Sequence, residues 1–189
     1  MRALLVTAAL GLAVAACGAQ EEAATQAAPA TLPAAALPEL ASTARTLDAE
    51  ALAADALEPE RLAALLRDSG FESGREREFS GKTKTWDRVV ARALRFRSAE
   101  GAEAYLDWLG AHGNDLLGRA VPAKMAPPGE SGVAFVLARC GTCKKELPTF
   151  LSGWRRDELV LFLLAAGSGG NPERFGELVR DLDETGRRA

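Results

Sequence analysis

The amino-acid sequence predicts an α+β domain: an antiparallel sheet covered on one face by helices, built as two pseudo-repeated halves of a strand pair plus a helix. Three observations lead there. Two pairs of β-prone runs are joined by short polar turns, FESGREREF with TWDRVVARALRF around SGK, and TFLSGWRR with LVLFLLAAG around Asp157-Glu158. Each pair is followed by an apolar stripe at helical spacing, Ala102, Tyr105, Leu106 and Leu109 in the first half and Phe175, Leu178, Val179 and Leu182 in the second. A loop containing Pro122, Pro127, Pro128 and Gly129 separates the halves.

Taken in chain order, LDAEALAADAL has the composition of a short first helix. The next helix starts with Pro59 in its first turn, repeats Leu62, Leu65 and Leu66 at helical spacing, and ends where Gly70 supplies a left-handed C-terminal cap. Phe71 begins an extended stretch. If SGK is the hairpin turn, Phe79 sits opposite Thr85, and Arg77, Glu76 and Glu72 face Asp87, Arg88 and Arg92. A one-residue slip would set Arg75 against Arg88 and Glu76 against Asp87, two like-charge pairs that cross-strand energetics disfavour. On the second strand Trp86, Val90, Leu94 and Phe96 share one parity and are expected to face the core. Arg88 and Arg92 fall on that same side, where they are either capped by glutamates of the neighbouring strand or line a cleft with Trp86. Ser98 can cap the following helix, which ends near His112-Gly113. In the second half, VAFVLA reads as a buried strand, and Asn171 followed by Pro172 opens the last helix.

Ahead of these elements the chain opens MRALLVTAALGLAVAAC, a single cation followed by an uncharged apolar run. The run is shorter than the roughly 18–20 apolar residues that span a bilayer, so residues 1–16 read as an export signal. Val14-Ala15-Ala16-Cys17 resembles the lipobox of bacterial lipoproteins. The resemblance covers only the leader, and it implies that Cys17 becomes the lipidated first residue of the exported protein. The localisation expected from it is outside the cytoplasm, on the outer face of the cytoplasmic membrane or on the outer membrane. Residues 17–44, rich in Ala and broken by Pro29, Pro33 and Pro38, read as lipid anchor plus disordered tether, with a reach of about 30 Å. Residues 45–189 then form one domain, a length sufficient for one core.

The chain carries 23 basic and 26 acidic residues, for a net charge of −3, with both signs mixed and no basic stripe for a phosphate backbone. No nucleic-acid partner is expected. With a single histidine, His112, most metal and acid–base chemistry drops out, and no cofactor or metal is expected.

RCGTCKKELPTF holds the remaining two cysteines, Cys140 and Cys143, which export places where disulfides persist. The string resembles the active-site segment of thioredoxin-like proteins, in which an apolar strand runs into C-x-x-C and a helix. The resemblance, spanning residues 133–150, implies Cys140 as nucleophile, Cys143 as resolving thiol and Pro148 as the helix proline. A thiolate at a helix N-terminus beside Lys144 and Lys145 would be reactive near neutral pH. C-x-x-C before Lys144 is also similar to a variant haem-attachment pattern, but no second ligand accompanies it, and zinc would need two further ligands. Against the dithiol stands the hairpin TFLSGWRRDELVLFLLAAG, which claims the residues that such a helix needs. The conformation of residues 144–156 separates the readings, helix for an oxidoreductase and extended chain for a disulfide staple.

The sequence therefore leans away from an enzyme. No Ser-His-Asp set, phosphate loop or metal constellation is present in it. It favours a membrane-anchored, extracytoplasmic, non-enzymatic module that binds a ligand or protein of the cell envelope. The alternative is a thiol-disulfide oxidoreductase using Cys140 and Cys143.

Overall fold

The structure is a computed structural model that describes residues 29–54, 56–117, 121–137 and 147–188. In chain order the elements are β1 (Ala41–Leu47), α1 (Ala49–Ala53), α2 (Pro59–Asp68), β2 (Phe71–Ser80), β3 (Arg88–Phe96), α3 (Ala99–Leu117), β4 (Val121–Pro122), β5 (Ser131–Leu137), β6 (Thr149–Arg156), β7 (Leu159–Ala166) and α4 (Pro172–Gly186). All seven strands join one antiparallel sheet in the order β1-β2-β3-β7-β6-β5-β4, which bears out the α+β class.

The local signals act where the sequence placed them. Ser98 Oγ accepts from the Gly101 N–H at 3.2 Å, and Asn171 Oδ1 accepts from the Arg174 N–H at 3.0 Å, so both helices carry side-chain caps. Gly70 takes φ +70° just past α2, a conformation that a Cβ would strain. Asp157, at φ 49°, turns the β6–β7 hairpin.

Helices cover both faces of the sheet, which corrects the one-face expectation. On one face α1, α2 and α3 bring Leu52, Leu62, Leu66, Tyr105, Leu106 and Leu109 against Leu94, Phe96, Leu151, Val160 and Phe162. On the other, Phe175, Leu178, Val179 and Leu182 of α4 pack on Val89, Ala91, Ala93, Leu161, Leu163 and Ala165. The physical reason lies in the two central strands. β7 reads LVLFLLAA and β3 is apolar at most positions of both parities, the pattern of strands buried on two sides.

The two halves each run strand pair then helix, but they are not copies related by rotation. Antiparallel neighbours β3 and β7 are exchanged by a two-fold axis normal to the sheet, an operation that keeps a following helix on the same face. α3 and α4 lie on opposite faces.

The β2–β3 register is offset by four residues from the expected one. Glu76 pairs with Arg92 and Phe79 with Val89. The connection is not a tight SGK turn but the loop 81–87, closed by the Gly81 N–H donating to Asp87 O at 3.0 Å. Within it the Thr83 hydroxyl donates to Trp86 O at 2.7 Å and accepts from the backbone N–H groups of Thr85 and Trp86. Because the offset is even, Val90, Leu94 and Phe96 within β3 keep a common face, as expected.

The boundary at residue 45 is also corrected. Leu32, fully buried, joins Leu37 and Leu40 in the α4-side core, while Thr31 Oγ1 donates to Ala91 O at 3.2 Å. β1 then pairs along its length with β2. The downstream part of the expected tether is therefore part of the fold. Its few leucines escape a compositional reading because they are diluted by alanine, yet each one is used. Every buried residue of the two cores lies between Leu32 and Leu182.

Asp183 ties α4 to β6 on this face. Its carboxylate accepts from Trp154 Nε1 at 3.0 Å, from Arg156 Nη2 at 2.7 Å and from Arg187 Nε at 3.0 Å.

Candidate functional site

Arg88, Val90 and Arg92 project from alternate positions of β3 toward the face carrying α1, α2 and α3. Across the β3–β7 ladder Val90 pairs with Leu164 and Arg92 with Phe162, so these five side chains make a floor. α3 lies mainly over β5 and β6, while α1 and α2 lie near β1 and β2. A furrow is left over β3 and β7, walled by Leu52, Ala56 and Leu62 on one side and by Tyr105 and Trp108 on the other. It encloses a cavity of about 320 Å³, within the size range of small-molecule sites.

The two arginines are held by glutamates of β2. Arg92 Nε donates to Glu76 at 2.6 Å, and Arg45 Nε donates to the other oxygen of the same carboxylate at 2.7 Å. Glu76 is 3% exposed. Burial alone would raise its pKa, but the Arg45 hydrogen bond and the Arg92 charge outweigh burial and hold the carboxyl below its usual range. The Arg92 guanidinium also lies 5.3 Å from the Phe162 ring centroid, a cation–π contact that fixes it against the floor. Arg88 sits further out, its Nε donating to Glu78 at 2.7 Å, with its side chain 59% exposed. The site thus has one arginine deep in the cavity and one near its mouth.

The α3 wall is an aromatic column. Tyr105 stacks on Trp108 at 6.1 Å, and Trp108 on His112 at 4.8 Å. His112 Nδ1 lies 2.9 Å from Trp108 O. Burial raises the Tyr105 phenol pKa, so the hydroxyl is neutral at ordinary pH. The Trp108 indole N–H, shielded from solvent, has no hydrogen-bond partner among the described residues. Leu57, next to the wall residue Ala56, is 73% exposed.

Of the residues the sequence singled out, Arg88 and Arg92 come together in this cavity and Trp86 does not. Trp86 precedes β3, where strand alternation no longer applies, and it packs on the α4 face with its ring edge-on to Phe150 at 6.1 Å. Cys17, Cys140 and Cys143 lie outside the described residues. β6 begins at Thr149, so residues 149–156 are strand where the thioredoxin resemblance implies helix. Sequence reading missed Trp108 and the β7 pair Phe162 and Leu164 as cavity residues. The i, i+3 spacing of Tyr105 and Trp108 was a usable signal for the aromatic wall.

No protein-family model matches the chain, and no curated protein matches its sequence. Among solved structures, the extracellular domain of PknH from Mycobacterium tuberculosis is similar, with a TM-score of 0.51 over 86% of this chain and 81% of that one. The identity is 11%, so the likeness is one of fold.

Proposed function

We propose that this chain is an exported lipoprotein, anchored to a membrane through lipid on Cys17, whose domain is a non-enzymatic module that binds a small ligand in the β3–β7 cavity. The observation that carries the binding reading is the cavity itself: a furrow in which two arginines held by ion pairs stand among apolar and aromatic side chains. The export reading rests on the leader, with its charged start, short apolar run and cysteine after small residues. That the similarly folded chain from Mycobacterium tuberculosis is an extracellular domain supports it. More than one acyl chain on Cys17 would give durable anchoring, at about 0.8 kcal/mol per buried CH₂.

Two experiments test this. The chain produced without its leader retains all the buried residues of both cores, and titration with the neutral dye Nile red should give saturable fluorescence that Ala56→Trp, which fills the cavity, abolishes. Non-saturable binding, or binding untouched by that substitution, would remove the site. For the anchor, Cys17→Ala should release soluble protein or leave unprocessed precursor. Mass spectrometry finding an unmodified Cys17 thiol on cleaved, membrane-free wild-type protein would end that part of the proposal.

A further inference from the structure

We infer that the ligand of this cavity is an anionic amphiphile, an apolar body ending in a carboxylate or a similar acceptor-only group. The inference rests on the binding reading above and adds the chemical class. Its basis is the polar lining. The charged groups that line the cavity are the two guanidiniums, joined by the Tyr105 phenol, and among the described lining residues none is Asp or Glu. Guanidinium groups donate and do not accept, so a complementary ligand must bring acceptors. A cation or a donor-rich sugar would find almost nothing to accept its protons.

Position decides where the anion sits. Arg92 is engaged by Glu76 and by the Phe162 ring, and serves as the fixed positive end of the floor. Arg88 meets Glu78 through Nε. A guanidinium has five N–H donors in a planar fork, and the single Nε contact with Glu78 leaves Arg88 able to engage an anion as well. The head group therefore lies at the mouth beside Arg88, within the field of Arg92. The body of the ligand extends along Val90 and Leu164 toward Phe162 and the Tyr105–Trp108 wall. Exposed Leu57 beside the wall adds apolar surface near the opening.

The test compares three ligands that share one chain and differ in head group, decanoate, decanol and decyltrimethylammonium. Each is used below the concentration at which it forms micelles, as a competitor of Nile red on the leaderless chain. Decanoate should displace the dye at least about tenfold more tightly than decanol, since a charge-assisted hydrogen bond is worth roughly the 1.4 kcal/mol that tenfold represents. The cation should be the weakest. Arg88→Gln, at an exposed position where folding is not at stake, should shrink the preference for decanoate over decanol by several fold. Arg92→Gln, which removes that field and keeps a hydrogen-bond donor toward Glu76, should shrink it as well.

Equal displacement by decanoate and decanol on the wild-type chain, with Nile red still bound in a saturable way, overturns the anionic class and leaves the cavity reading standing. A preference that neither arginine substitution alters also overturns it. Absence of any saturable Nile red binding instead defeats the binding reading on which the inference rests.

Discussion

Leu32→Ala is the sharpest test of how the N-terminal segment contributes to this fold. Leu32 has no exposed surface and belongs to the same core as Ala91, Ala93 and the α4 stripe. It is held in place by the 3-10 turn at Ala34–Ala36 that follows it and by the Thr31 hydroxyl bonded to Ala91 O. Truncating a fully buried leucine removes its transfer free energy and leaves a cavity, which together cost about 3–5 kcal/mol. For a domain of this size, that lowers the thermal midpoint by roughly 2–4 °C per kcal/mol, or on the order of 10 °C. Urea unfolding followed by tryptophan fluorescence is the assay, because buried Trp86 and Trp154 report the same core. With a slope of about 2 kcal/mol/M, the urea midpoint should fall by roughly 1.5–2.5 M while the slope stays constant. As a companion, Thr31→Val removes one buried hydrogen bond and should cost about 1 kcal/mol. A Leu32→Ala loss under about 1 kcal/mol at unchanged slope would show that the segment is a tether after all, as its Ala and Pro content suggests.

Three further expectations follow from the packing and the ion pairs. Asp183→Asn keeps an acceptor for Trp154 but loses the charge facing Arg156, and should cost on the order of 2 kcal/mol in the same urea assay; a neutral outcome would mean that the α4–β6 tie is ornamental. Stability should be nearly flat from neutral pH down to about pH 5 and fall below about pH 4. The reason is that Asp183 and Glu76, which burial would raise, are held below their usual ranges by Arg156 and Trp154 and by Arg45 and Arg92 respectively. A carboxyl whose folded pKa is depressed contributes above the unfolded pKa and loses that contribution as pH falls through the folded value. Unfolding free energies measured across that range should therefore decline less in Asp183→Asn than in the wild type, and an identical acid limb would refute the assignment. Gly101→Ala should destabilise by about 3 kcal/mol although alanine is the better helix former by about 1 kcal/mol, because the new Cβ would lie 2.0 Å from the Ser69 carbonyl oxygen. A gain in midpoint would show that helical propensity outweighs this contact.

What could be read from the chain was whatever neighbouring residues decide among themselves. Ser98 and Asn171 cap the helices that follow them, Gly70 ends α2, Asp157 turns the β6–β7 hairpin, and the alternation of β3 puts Arg88, Val90 and Arg92 on one face. Each depends on a few covalently near residues, so the pattern is complete in a short window. The register of β2 on β3 was not decidable in that way. GREREF presents alternating charge, so an even slip can still set opposite charges together; the observed pairs Glu76–Arg92 and Phe79–Val89 are reached only once a loop longer than a tight turn is allowed. Layering and the domain start depend on distant partners too. Leu32 has a place because α4, far along the chain, leaves room beside it on that face of the sheet, and Trp86 falls on that face because its backbone has left the ladder. The cavity shows the division most plainly: its arginines follow from strand alternation, but the empty space above them exists because α3 comes to rest over β5 and β6 while α1 and α2 stay near β1 and β2. A gap between helices is a property of where packed bodies stop, and no stretch of sequence carries it alone.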